Sequence, residues 1–260
     1  MRPLPSPTAV ALARLYDVDL LEDPGDLDLV LALAERADGR ILELGVGSGR
    51  LAVPLAEAGW SVTGVDNDPA MLRRARDRAD AAGAAVAERI ELVEANAAEL
   101  RSPARYRLGF IALNSLLVFG DRTAQAAAVA TLADHLEPGG LCLIDLWLPD
   151  ADDLARYDGR IFLEYIRVDP ETGRTVIKTG SALHDGASQT VHLTTIYDEG
   201  AQGEPPIPWS RTDRIRLVGA EELVVFAEAA GLEVELLARG YDLEPIGPGA
   251  DRAILVAMRP

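Results

Sequence analysis

Apolar residues in the first 150 positions of this chain alternate between short continuous runs and stripes at helical spacing. Ala11, Leu12 and Leu15 share one stripe and predict a helix from Thr8 to about Tyr16-Asp17. Leu27, Val30, Leu31 and Ala34 predict a second from Asp26 to Ala37, with Asp26 as its cap and Gly39 after it. Ile41, Leu42 and Leu44 form a buried strand that runs into Gly45, Gly47 and Gly49, a loop that only glycines can shape. Leu51, Val53, Leu55 and Ala58 return to helical spacing up to Gly59. Ser61 to Val65 reads as the next strand and ends on Asp66. Asp68 and Pro69 are a cap and first-turn residue for another helix, with Arg73 to Arg78 on its solvated face. Further strands are predicted at Ile90–Glu94, Leu108–Leu113 and Leu141–Trp147, and an alanine-rich helix at Ala124–Leu136 that stops before Pro138-Gly139-Gly140.

From about position 155 the period changes to two. Strands are predicted at 160–167, 175–181, 190–197 and 212–217, the first two joined by the turn Asp169–Gly173. A helix at 220–230, stopped by Gly231, precedes two last strands at 232–239 and 253–258. The expected architecture is α/β: a seven-stranded doubly wound sheet with its last strand hairpinned antiparallel, plus an inserted antiparallel sheet. Expected segments are a helical cap over 1–38, with a loose proline-rich start at 1–8, a core over 39–150 and 218–260, and a β insertion over 151–217.

Strand, glycine loop, helix, strand and Asp66 make one βαβ unit suited to a nucleoside-containing cofactor. Glycines let the backbone approach the ligand, and the following helix N-terminus is expected to offer free N–H groups. Asp66, at a strand tip, can accept hydrogen bonds from both hydroxyls of a ribose. A dinucleotide fingerprint, G-x-G-x-x-G, needs glycine where Arg50 stands. Glu43, two residues before the first glycine, would repel a pyrophosphate and suits a cationic ligand.

The run Glu43-Leu44-Gly45-Val46-Gly47-Ser48-Gly49, followed by Asp66, resembles motif I of class I S-adenosylmethionine-dependent methyltransferases. The likeness covers residues 39 to 147 and, more loosely, 218 to 258. It implies a Rossmann-like core that binds S-adenosylmethionine, with S-adenosylhomocysteine as product. Glu43 would lie near the cofactor's amino-acid moiety, Gly45, Val46, Gly47 and Gly49 against the cofactor, and Asp66 on its ribose. Asn67 and Met71 would sit beside ribose and adenine, although Met71 is equally a core filler. Ala95-Asn96-Ala97 resembles motif II, with Asn96 in place of the common Asp to accept from the adenine amino group. Asn114 and Ser115, at the end of the fourth strand, resemble motif IV of a bacterial subgroup and would face the transferable methyl group. A Tyr-Asp pair near the N-terminus of small-molecule methyltransferases makes Tyr16 a candidate contact; helix-end packing explains it as well. Asn114 and Tyr16 are the candidate catalytic residues. An Asp-Pro-Pro-Tyr motif is absent, which argues against amino-methylation of DNA or protein glutamine. The segment Gly240-Tyr241-Asp242 resembles the same subgroup, and Arg252 is expected to pair with a local acid. Insertions like 151–217 serve related enzymes as lids or dimer contacts, and the strand edges leave a homodimer open.

Composition narrows the partner. The formal charge of −17 repels phosphate backbones, so a small-molecule acceptor is expected and nucleic acid is not. No apolar run is long enough to span a bilayer and the start lacks a signal-peptide core, so no membrane partner is expected and the location is read as cytoplasmic. Cys142 sits in an apolar run as core packing, and with His135, His184 and His192 scattered no metal site is expected. His135 is read as a helix-dipole and packing residue. The alternatives to methyl transfer are a non-catalytic S-adenosylmethionine-binding regulatory protein and a nicotinamide oxidoreductase, the latter opposed by Arg50.

Overall fold

The computed structural model describes residues 5–260. Its elements are α1 (Pro7–Asp19), α2 (Leu27–Ala37), β1 (Ile41–Leu44), α3 (Ala52–Glu57), β2 (Val62–Asp66), α4 (Pro69–Ala82), α5 (Ala84–Ala87), β3 (Ile90–Glu94), β4 (Tyr106–Ile111), a 3-10 turn (Ser115–Val118), α6 (Arg122–His135), β5 (Leu136–Trp147), α7 (Ala151–Arg156), β6 (Asp158–Val168), β7 (Thr175–Asp185), β8 (Thr190–Gly200), β9 (Ile207–Arg216), α8 (Ala220–Ala229), β10 (Glu233–Ala238) and β11 (Arg252–Met258). They divide into two compact units: Gly25–Leu148 with Val218–Pro260, and Pro149–Leu217 with the chain up to Pro24.

The larger unit is a seven-stranded sheet in the order β3-β2-β1-β4-β5-β11-β10. Strands β1 to β5 run parallel, and β11 lies antiparallel to both β5 and β10. The order reverses between β1 and β4, which makes their carboxyl ends the crevice of a doubly wound sheet. Leu29, Val30 and Leu33 of α2 pack with Ile41, Leu108, Phe110, Leu143 and Ile254 in its core. Asp68 caps α4 by accepting from the Ala70 N–H at 2.7 Å, with Pro69 first in the helix, and Asp121 caps α6 through Ala124 N at 3.0 Å. That cap starts α6 at Arg122, earlier than the alanine pattern predicts.

Strand β5 begins at Leu136 rather than Leu141. The Gly139 N–H donates to the Arg259 carbonyl at 2.7 Å and Arg259 N–H to the Gly140 carbonyl at 2.9 Å, so the glycine pair joins the ladder. Asp26 precedes α2 but its side chain makes no cap; its carboxylate is drawn to Arg50 instead. His135 is buried with Nδ1 at 2.7 Å from the Thr131 carbonyl, while the Ser102 N–H donates to Nε2 at 3.2 Å. His135 closes the last turn of α6 as a packed residue whose two ring nitrogens are both hydrogen-bonded. Cys142 is fully buried and its thiol is pushed up to about 12 by that burial.

The smaller unit is an antiparallel sheet in the order β6-β7-β8-β9 with α1 on it. Leu15 and Val18 of α1 pack with Val176 and Tyr197. The Asp19 carboxylate accepts from Tyr165 OH at 2.6 Å and Tyr197 OH at 2.8 Å and pairs with Lys178 Nζ at 3.1 Å; Arg14 pairs with Glu199 at 2.7 Å and with Asp169. Burial, and then Asp19, push the hydroxyls of Tyr165 and Tyr197 well up. These contacts divide the expected 1–38 cap: α1, running on to Asp19, goes with the inserted sheet and α2 with the core. Among the described residues no helix is long and apolar enough to cross a membrane.

Candidate functional site

At the carboxyl ends of β1 and β2 the glycine loop folds back on the sheet. Gly45 and Val46 N–H donate to the Val65 carbonyl at 2.8 and 3.0 Å, Gly49 N–H to the Val46 carbonyl at 2.9 Å, and Gly47 N–H to Asp66 Oδ2 at 2.9 Å. These four amides are taken within the fold; the free N–H groups expected of the following helix are a separate set. A phosphate cradle needs amides turned outward, and these four are not available to one. Gly45 has φ +86°, and a Cβ there would lie 2.9 Å from Ser115 Cβ and 3.2 Å from Phe119 Cζ. Glycine is required by both its conformation and its neighbours. Val46 is buried against Gly64 of β2, where a Cβ would meet its Cγ2 at 2.6 Å, so its side chain belongs to the core.

Asp66 accepts the Asp68 N–H on Oδ1 at 2.9 Å as well as Gly47 on Oδ2. The Asn67 backbone N–H acts on it too, and of its four lone-pair sites one is left for a hydroxyl. Burial raises the Asp66 carboxyl, while the backbone N–H groups of Asp68 and Gly47 hold it down. Glu43 is 4% exposed on β1, and its Oε2 has no hydrogen-bond partner among the described residues. Burial lifts its carboxyl well above the ordinary 4.5; Arg50 works against the shift, Asp26 and Asp66 with it. A buried acid with an orphaned oxygen leaves an acceptor for a polar or cationic group.

Arg50, the residue that breaks the dinucleotide fingerprint, has a use of its own. Its two terminal nitrogens reach Asp26 at 2.6 and 2.5 Å, a bidentate pair in which the Asp26 side chain is 3% exposed. The loop is thereby tied to the start of α2.

On the other side of the crevice, Leu113 and Asn114 follow β4 with φ of 45° and 67°. Asn114 Oδ1 accepts the Trp147 N–H at 2.5 Å, so this oxygen is committed to the fold. Asp145 on β5, 2% exposed, accepts from Leu113 N at 3.1 Å, Tyr241 OH at 2.9 Å and Arg252 at 2.5 Å. The acid expected near Arg252 in sequence thus stands on another strand. Burial pushes the Tyr241 hydroxyl up and Asp145 adds to it.

The geometry brings Glu43, the glycine loop, Asp66 and Ser115 to one edge of the sheet. Asn67, exposed, and Met71, half-buried, follow Asp66 at the start of α4. Asn96 is exposed past β3 and its Oδ1 accepts the Ala98 N–H at 3.0 Å, while Ala97 is buried. Tyr16 lies on α1 in the smaller unit and is half-buried. Phe119, Asp145 and the Asp26–Arg50 pair escaped the sequence pattern. Only the acid within the apolar run Leu141–Trp147 signalled one of them, since a buried acid requires a partner.

The residues fit a cationic, ribose-bearing cofactor: an acid with a spare oxygen, a carboxylate with a free lone pair, and a loop with four amides committed to the fold. Comparison with known proteins agrees. Residues 41–140 match the family described as "Methyltransferase domain". The cypemycin N-terminal methyltransferase of Streptomyces sp is 27% identical over 228 residues, 85% of this chain and 84% of that protein. The dTDP-3-amino-3,4,6-trideoxy-alpha-D-glucopyranose N,N-dimethyltransferase of Streptomyces venezuelae is 32% identical over 117 residues, 44% of this chain and 45% of its own. The CcbJ methyltransferase structure from Streptomyces caelestis superposes with a TM-score of 0.73 at 25% identity, over 97% of this chain and 90% of its own. Residues 41–140 thus carry a methyltransferase domain, and the fold is that of class I S-adenosylmethionine-dependent methyltransferases.

Proposed function

We propose that this methyltransferase modifies an amine nitrogen of a small molecule. Two similar proteins support that acceptor: one is named for the N-terminus of cypemycin, the other for N,N-dimethylation of a dTDP-amino sugar. The surface charge of −17 favours an acceptor that arrives as a cation over a polyanion. S-adenosylmethionine supplies a methyl group already activated by its sulfonium, so the protein's task is to align, desolvate and exclude water. Asp66 is assigned to the ribose, Glu43 to the cationic amino-acid end, and Ser115 with Asn114 to the face of the crevice where the acceptor enters. Orphaned Glu43 Oε2 is the observation that carries the assignment. Incubation with labelled S-adenosylmethionine and a panel of amino sugars, phenols and carboxylic acids tests it: label on the amines alone is expected, and label confined to oxygen acceptors contradicts it.

The reading includes a homodimer through the inserted sheet. Ile161, Leu163, Ile166 and Val168 of β6 pair with residues 181, 179, 177 and 175 of β7, so all four share one face. The register gains a residue between Leu163 and Tyr165, and that bulge keeps Leu163 and Ile166 together although three positions apart. With Ile177 and Leu183 they form an aliphatic stripe, each 36–73% exposed, beside an edge strand. Strand β6 carries two acids, Asp158 and Glu164, and two bases, Arg160 and Arg167, so this strip is neutral on a strongly acidic chain. Two copies can meet there without the repulsion that opposes contact elsewhere. Light scattering is expected to give a dimer that Leu163→Glu with Ile166→Glu converts to monomer; a monomeric wild type contradicts the assignment.

A further inference from the structure

We infer that Asp145 is a positioning residue for methyl transfer, holding the Leu113–Asn114 turn so that Asn114 and Ser115 face the glycine loop; the inference rests on the site assignment above. Asp145 lies in an apolar strand between Ile144 and Leu146, both fully buried. A leucine there would serve the core without desolvating a charge. Every atom that can accept is in use. Oδ1 takes Arg252, Oδ2 takes both Tyr241 OH and the Leu113 N–H, and the backbone carbonyl takes the Asn114 N–H at 3.2 Å.

The two amides bound by Asp145 belong to the two residues whose conformation is unfavourable. Leu113 and Asn114 both have positive φ. Asparagine tolerates that region and leucine does not, so a Leu-Asn pair in it persists only where its surroundings over-determine it. Asp145 and the Trp147 N–H, which donates to Asn114 Oδ1, supply that determination from β5. The turn then sets Ser115, whose N–H donates to the Ala112 carbonyl at 3.0 Å, against Gly45. Through Arg252 and Tyr241 the same carboxylate joins the start of β11 and the segment before it to this turn, with the Arg252 guanidinium 5.1 Å from the Tyr241 ring centre.

Asp145→Asn, Leu113→Gly and their combination test the assignment. Glycine adopts positive φ without penalty, so it removes the need for the restraint. In Asp145→Asn the Leu113 and Asn114 amides are expected to exchange hydrogen at least tenfold faster. Turnover at saturating cofactor and acceptor is expected to fall at least tenfold, with Kd for S-adenosylmethionine within threefold of wild type. Adding Leu113→Gly to Asp145→Asn is expected to recover turnover, which a purely structural loss would not allow. Wild-type exchange and turnover in Asp145→Asn, or a double variant that loses the product of the two single losses, overturns the inference. Tyr241→Phe removes one bond to the same oxygen and carries the exchange test if Asp145→Asn does not fold: faster exchange at Leu113 supports the role, unchanged exchange overturns it. A protein that binds no S-adenosylmethionine refutes the site assignment instead, while amide exchange still decides what Asp145 holds.

Discussion

Replacing Arg50 by alanine removes both nitrogens that bind Asp26 and leaves its carboxylate, 3% exposed, beside Glu43 and without a counter-charge. Breaking a buried pair by deleting one partner costs about 3–5 kcal/mol, because the orphaned charge has lost both water and its mate. Arg50 keeps 20% of its side chain in solvent, which puts this pair at the lower end, about 3 kcal/mol. Urea unfolding of the wild type and Arg50→Ala measures it directly. Asp26→Asn in the same background supplies the control. If the loss is the price of an unpaired charge, the double variant is no less stable than Arg50→Ala. A single-variant loss under about 1 kcal/mol, the range of an exposed ion pair, refutes the reasoning. So does a double-variant loss equal to the sum of the single ones.

Two further substitutions probe the acids of the site. The Glu43 carboxyl titrates above its ordinary 4.5 because it is buried, so folding takes up a proton there; the stability this contributes is complete below about 4.5 and is lost as pH rises through the folded value. Glu43→Gln carries no such charge, and its urea midpoint is expected to gain on the wild type between pH 5 and pH 8; a constant gap would contradict the assignment. On the proposed ribose role, Asp66→Ala removes hydrogen bonds to a charged acceptor worth about 1.5–3 kcal/mol each, and a total near 3 kcal/mol weakens Kd on the order of 100-fold. Calorimetry showing Kd within threefold of the wild type would mean that the ribose is held elsewhere.

What could be read along the chain was local. Glu43, the glycines and Asp66 lie within 24 positions and announce themselves through strand length, glycine spacing and an acid at a strand tip. The count of seven strands came from the alternation of strands with helices, and the inserted sheet from the change of hydrophobic period. Pairings across long separations could not be read. Asp145 and Arg252 are 107 positions apart, and nothing in the period of either strand brings them together. Asp26 looked like a cap because caps are a short-range habit of Asp, yet a bidentate arginine 24 positions away offers its carboxylate more than one backbone N–H. Helix α1 carries an ordinary apolar stripe; its place on the inserted sheet is fixed by Asp19, Tyr165 and Tyr197, which no periodicity singles out.

Isothermal calorimetry of the purified chain with S-adenosylmethionine, S-adenosylhomocysteine and NAD tests the central claim most directly. Binding of the first two, with no heat from NAD, is the expected result, since four loop amides are taken within the fold and Glu43 Oε2 has no partner among the described residues. Binding of NAD, or of none of the three, would contradict the assignment of this crevice to the sulfonium cofactor.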